Sequence, residues 1–346
     1  LKRRLGGLNL SKFGILREFE GMAEMIALSH LTKRFGPLTA VDGIDLSVNR
    51  GEVLGFLGPN GAGKSTTMKM VTGFLSPTEG SATVDGIDVT RDPVGVKQRI
   101  GYLPEGAPCY GDMTPRGFLN FIADIRNLSG IARNASIDQV IERVEIADVM
   151  DQPIETLSKG FKRRVGLAQA ILHNPPILIL DEPTDGLDPN QKHQVRTLIQ
   201  QMASDKAVII STHILEEVEA VCTRAVIIAR GKLLADGTPE DLLKRSPLHN
   251  AVEIKVSPAA ADVIAKDLTS LTSVGHVERS TSIDAQTLFS VTSKSGAPIA
   301  PEVAAMLKEK GHAVSDLKTE KGALDAVFRE ITRGGSVVGE TETANA

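Results

Sequence analysis

Nine consecutive residues, Gly58-Pro59-Asn60-Gly61-Ala62-Gly63-Lys64-Ser65-Thr66, restrict this chain more than any other segment. They match GxxxxGK[ST] throughout, directly after an apolar run ending at Leu57 and before a helical pattern over Thr67 to Phe74. In such a loop the glycines let the backbone curl so that its N–H groups surround phosphate oxygens. The helix that follows adds partial positive charge at its N-terminus. Lys64 would then reach the β- and γ-phosphates of a nucleotide, and the Ser65 hydroxyl would face Mg²⁺. A glycine-rich turn matched by chance is the competing reading, and the strand before and helix after make it rarer.

A phosphate loop of this kind needs a buried parallel sheet behind it. The runs Val53 to Leu57, Ile177 to Leu180, Val208 to Ser211 and Ala225 to Ala229 lack polar alternation and are separated by helix-like stretches, which predicts an α/β sheet covered on both faces. Between Pro115 and Leu172 the spacing is helical, as in Phe118, Phe121, Ile122, Ile125 and in Val140, Ile141, Val144, so a helical insertion is expected there.

The length of 346 residues leaves room for a second domain, with the join placed near Ser246-Pro247. Beyond it, Val252, Ile254 and Val256 alternate with polar neighbours, and Ala259 to Leu268 reads as helix. Strands at Ser273 to Arg279 and Thr287 to Thr292, a helix from Glu302 to Lys310, a strand from His312 to Leu317 and a helix from Ala323 to Thr332 complete the pattern. That order, βαββαβ plus a helix, predicts a small α+β domain of ferredoxin-like type. Residues 1–24 are basic without the apolar centre of a secretory signal and are expected to be a disordered leader, as is the tail over 335–346.

Composition excludes several classes. A formal net charge of −4 gives no bulk positive field, so no nucleic-acid partner is expected. No apolar run approaches the roughly 18 residues of a membrane span. Two distant cysteines, Cys109 and Cys222, form no CxxC pattern and suit a reducing compartment.

Asp181 and Glu182 follow the apolar run Ile177 to Leu180, where Asp181 would hold Mg²⁺ and Glu182 would orient and deprotonate the attacking water. His213 follows the run Val208 to Ser211, at another strand's C-terminal end, and would contact the γ-phosphate.

These residues together resemble the ATP-binding cassette (ABC) family. Leu157-Ser158-Lys159-Gly160-Phe161 is similar to its signature, Asp185-Gly186-Leu187-Asp188 to the loop joining two active sites, Ile210-Ser211-Thr212-His213 to its switch histidine, and Phe35 to the aromatic that stacks on adenine. The resemblance implies a P-loop NTPase cassette over 25–246, with a mostly parallel sheet core, an antiparallel β subdomain and a helical subdomain at about 106–172. An accessory domain follows at 247–334. It also implies that Ser158, Gly160 and Asp188 meet the nucleotide of a second copy, the two cassettes packing head to tail as a homodimer around two Mg-ATP. A separate membrane permease would be the other partner, with the chain peripheral to the cytoplasmic face of the membrane. The stretch Glu105 to Leu128 and the helix Ala323 to Thr332 resemble exporter ATPases of the multidrug, polysaccharide and gliding-motility type.

Two departures stand out. Glu105 occupies the position where the family has a metal-binding Gln, and Lys159 and Phe161 replace the usual Gly and Gln of the signature. Two other readings compete. One is a soluble cassette acting on nucleic acid or ribosomes through Lys162, Arg163 and Arg164, a cluster that at helical spacing is more often a solvated or permease-facing surface. The other is a small-molecule kinase, against which the signature and joining loop argue.

Overall fold

The computed structural model describes residues 24–106, 109–246, 248–281 and 286–333. Residues 1–23 of the expected leader, the expected tail and Pro247 of the expected join lie outside the described residues, and Glu24, counted with the leader, instead opens the first strand. By its internal contacts the chain divides between Leu233 and Leu234 into two units.

The first unit runs β1 (Glu24–Phe35), β2 (Leu38–Asn49), β3 (Val53–Leu57), α1 (Lys64–Val71), β4 (Glu79–Val84), β5 (Ile87–Asp88), α2 (Pro93–Arg99), β6 (Ile100–Leu103), α3 (Pro115–Ile125), α4 (Gly130–Arg143), α5 (Lys159–Ile171), β7 (Ile177–Asp181), α6 (Pro189–Ala203), β8 (Ala207–Thr212), α7 (Leu215–Val221) and β9 (Arg224–Ala229). Every residue of β3, β7 and β8 is buried, which is why their sequences carry no polar alternation. Five strands lie in the order β9-β3-β8-β7-β6, and each neighbouring pair is parallel. The register sets Leu57 beside Thr212 and Asp181 beside Ser211. The loop after β3, the acids after β7 and the histidine after β8 therefore leave the sheet at one edge, the carboxyl ends where ligands of such sheets gather.

A second sheet, β2-β1-β4-β5, is antiparallel. Its Ile26, Leu28 and Val41 share one buried apolar cluster with Phe56, Ile179 and Ile209 of the parallel sheet. The helical insertion resolves into α3, α4 and α5. Thr114 caps α3 by accepting from the Gly117 amide, with Pro115 in the first turn. This fixes the start of a helix that buries Phe118, Leu119 and Ala123.

In the second unit, β10 (Lys232–Gly237) crosses the division and α8 (Pro239–Leu243) follows. Then come β11 (Val252–Val256), α9 (Ala261–Ser270), β12 (Val274–Thr281), β13 (Thr287–Ser293), α10 (Ala300–Glu309), β14 (Val314–Thr319) and α11 (Leu324–Arg333). The sheet order β12-β13-β11-β14 is wholly antiparallel, the split βαβ arrangement of a ferredoxin-like domain. In β11, Val252, Ile254 and Val256 are buried while Glu253 and Lys255 are half-buried, the period-two pattern of a sheet with one face on a core. That core adds Ile264, Leu268, Phe289, Val303 and Leu307. His312, expected to open the last strand, instead places Nε2 2.7 Å from Asp267 Oδ2. Among the described residues no helix is long and apolar enough to cross a membrane.

Candidate functional site

The loop between β3 and α1 is shaped by two glycines that admit no side chain. A Cβ on Gly58 would lie 2.4 Å from the Ile228 carbonyl oxygen, and one on Gly63 would lie 2.5 Å from that of Ala40. Gly63 also has φ +107°, in the left-handed region that favours glycine. Pro59, Asn60 and Gly61 stay exposed at the tip, so their backbone is open to a ligand. Ala62 and Lys64 are buried, Gly63, Ser65 and Thr66 are half-buried, and Thr67 Oγ1 donates to the Gly63 carbonyl at 2.9 Å. Lys64 is 6% exposed, and its Nζ donates to the carbonyls of Gly58 at 2.7 Å and Pro59 at 3.2 Å. Burial lowers the pKa of its ammonium, against the opposing pull of the Glu182, Asp181 and Glu105 carboxylates. The cation therefore sits where the loop, the acids after β7 and Glu105 converge.

Asp181 ends β7 and is 2% exposed. Glu182 follows with φ +50°, a left-handed backbone uncommon outside glycine and asparagine, pinned by its amide donating to the Ser211 carbonyl at 2.8 Å. This turn carries the carboxylate off the strand axis. Its Oε1 lies 2.7 Å from His213 Nδ1, and Thr212 Oγ1 is 3.4 Å from its Oε2. The His213 ring is mostly exposed and the Glu182 side chain mostly buried. The carboxylate is thus held between His213, which reaches solvent, and Thr212.

Arg163 and Arg164 correct the expectation of a solvated or partner-facing basic cluster. They are 4% and 6% exposed. Arg163, on α5, donates to the carbonyls of Pro104 at 3.1 Å and Asp181 at 2.7 Å, and also to that of Glu182. It thus ties the end of β6 to the end of β7. Arg164 donates to the carbonyls of Val144 and Glu145 and to Gln194 Oε1 at 2.7 Å. Glu217 on α7 also escaped the sequence reading: it is 2% exposed, and its Oε2 lies 3.0 Å from Thr212 Oγ1. It lies between Glu216 and Glu219, and no local signal in the sequence sets it apart from them.

The remaining candidates form other groups. Ser158 caps α5, accepting from the Phe161 amide at 3.3 Å, and Asp188 caps α6, accepting from the Gln191 amide at 2.9 Å. Gly160 packs against Gln191, Leu187 and Gly186, bringing signature and joining loop together. Among the described residues, no hydrogen bond of Ser158 reaches the phosphate loop. Glu105 is exposed, and Phe35, at the end of β1, keeps 48% of its surface open with Lys33 Nζ 5.3 Å from the ring centroid. Among the described residues, no group of three or more His, Cys, Asp or Glu side chains is placed to hold a metal. The Ser65 hydroxyl and the Asp181 carboxylate are hard oxygen donors of the kind Mg²⁺ takes alongside phosphate oxygens, so this donor set fits that ion and not a metal caged by protein alone.

The family described as ABC transporter matches residues 41–185. The Escherichia coli protein "Probable multidrug ABC transporter ATP-binding protein YbhF" is 39% identical over 248 residues, covering 70% of this chain and 43% of its own length. This chain thus spans under half of that relative. "Linearmycin resistance ATP-binding protein LnrL" of Bacillus subtilis is 35% identical over 234 residues, covering 67% of this chain and 75% of its own. A solved structure described as the ATP binding subunit of an ABC transporter superposes with a TM-score of 0.60 at 28% identity, over 64% of this chain and 92% of that one.

Proposed function

This chain belongs to the ABC transporter family of ATP-binding cassettes, and on that premise we propose that it is the ATP-hydrolysing subunit of an exporter, working on a separate membrane permease. The observation that carries the reading is the pairing of Glu182 with His213 at 2.7 Å, at the carboxyl edge of the sheet where Lys64 stands among three acids. The cassette extends to about residue 246 and the accessory domain follows it.

The residues divide the work. Gly58 to Thr66 bind the triphosphate through backbone N–H groups, with Lys64 neutralising the β- and γ-phosphates. Phe35 stacks on the base. Mg²⁺ would be held by Ser65 and Asp181, with Glu105 beside them, and would neutralise charge on the phosphates. Glu182 takes a proton from the attacking water, and His213 holds that carboxylate and meets the γ-phosphate.

Ser158 and Gly160 open α5 with free backbone donors at a helix N-terminus, and Asp188 opens α6 beside them. These would meet the nucleotide of a second copy, giving a head-to-tail homodimer that closes on ATP and loosens once the γ-phosphate is cut. An apolar groove of about 1370 Å³, lined by Phe74, Val94, Tyr110, Phe121 and Ile125, offers the permease a surface. The names of the relatives, multidrug transport and linearmycin resistance, support export, and the work would be done at the cytoplasmic face of the membrane. Burial of Arg163 and Arg164 removes the basic surface that a nucleic-acid or ribosome reading requires.

The test is Glu182→Gln. It should keep ATP binding, lower hydrolysis by roughly 10²–10⁴ and enrich ATP-bound dimers in light scattering. A monomer at saturating Mg-ATP would refute the sandwich.

A further inference from the structure

Thr212, at the end of β8, joins two carboxylates. Its Oγ1 is 3.0 Å from Glu217 Oε2 and 3.4 Å from Glu182 Oε2, and it accepts from the Ile214 amide at 3.0 Å. A hydroxyl has one hydrogen and two lone pairs. If Glu217 is ionised, the hydrogen goes to Glu217 and Glu182 faces a lone pair. If Glu217 carries a proton, its O–H donates to Oγ1, the Ile214 amide fills the other lone pair, and the hydroxyl hydrogen is left for Glu182. With Glu182 ionised, as a base must be, only the second arrangement satisfies all of the contacts.

We propose that Glu217 is the positioning residue of the hydrolytic site, carrying a proton and turning the Thr212 hydroxyl onto Glu182. This rests on Glu182 being the base.

Three observations support the protonated form. Glu217 is 2% exposed, its Oε1 has no hydrogen-bond partner among the described residues, and burial pushes its carboxyl above the ordinary range. An ionised oxygen left bare in the interior costs far more than the neutral carbonyl oxygen of a protonated carboxyl. Against burial, a hydrogen bond accepted from Thr212 would favour the ion, as do Arg196 and Lys192 of α6, while the nearby Glu182 opposes it. On its other sides stand Thr212 of β8 and the thiol of Cys222, which burial holds up at about 12. Fixing Glu182 by a second hydrogen bond, besides that to His213, leaves one carboxylate geometry for the attacking water.

The experiment measures ATPase kcat and, separately, ATP affinity in full-length Glu217→Gln, Glu217→Leu, Thr212→Val and Thr212→Ser. One hydrogen bond to a charged group corresponds to about a ten- to hundredfold loss of kcat in Glu217→Leu and in Thr212→Val, with ATP affinity unchanged. Gln, whose amide N–H donates to Oγ1 as the protonated acid does, and Ser, which keeps the hydroxyl, should each retain several-fold more activity than Leu and Val. The wild-type rate should fall as pH rises and Glu217 ionises, and Glu217→Gln should lack that limb. Equal rates for the Gln and Leu variants, or a wild-type pH profile in Glu217→Gln, would overturn the proposal. In a Glu182→Gln background Glu217→Leu should add no further loss, and a full additional loss would place its action elsewhere. A wild-type rate in Glu182→Gln alone would instead remove the base, and the relay with it.

Discussion

The Arg163 guanidinium donates to the main-chain oxygen of Asp181 at 2.7 Å, so a side chain from the signature helix holds the strand end that carries the acids. The same group serves Pro104 and Glu182, and burial lowers its pKa against the pull of the surrounding carboxylates. Arg163→Met fills similar space but leaves buried carbonyls without donors. It should cost about 2–4 kcal/mol of stability, read as a lower urea midpoint, and should reduce ATPase activity in the protein that remains folded.

Lys64→Ala removes a cation from a loop whose backbone stays in place because Gly58 and Gly63 define it. ATP affinity should weaken by about ten- to hundredfold, the worth of a charge-assisted contact, with the circular dichroism spectrum unchanged. Wild-type affinity in a nucleotide titration would refute the role.

Glu105 is exposed and adds negative charge near Lys64 and Arg163. Glu105→Gln removes that charge beside the phosphates while keeping an oxygen donor. The Mg²⁺ concentration for half-maximal hydrolysis should move more than the ATP affinity does, and identical metal titrations would count against a place at the metal.

His173, after α5, is held neutral: burial, with the Arg126 guanidinium and Lys206 ammonium, lowers its pKa from 6.5 to about 4. The unfolded chain therefore binds this proton first, and the native state should lose stability as pH falls from about 6.5 through about 4. His173→Gln should flatten that part of the profile of urea midpoint against pH.

The sheet, the phosphate loop and the acid-ended strand were legible because each is written in a short stretch. Gly58 to Thr66 follows its strand directly, and Asp181 and Glu182 follow theirs. The period-two pattern of Val252, Ile254 and Val256 was equally local. Arg163 and Arg164 were misread because helical spacing gives the azimuth of a side chain but not what covers it. Their acceptors come from Pro104, Asp181 and Val144, each on another segment. Thr212 and Glu217 were hidden for a related reason: a carboxylate in an acidic helical run looks solvated until α6 is packed across it. The two helix caps at Ser158 and Asp188 are visible as residue types, but only tertiary packing through Gly160 and Gly186 makes them neighbours.

The parallel pairing of β7 with β8 sets Asp181 beside Ser211. Asp181, Glu182, Thr212 and His213 thus all hang on one alignment of two strands. Slipping that alignment by a single residue would turn one strand's side chains to the opposite face while the other's stayed, and would part the two strand ends. A chain in that slipped register would lose the contact of Glu182 with His213.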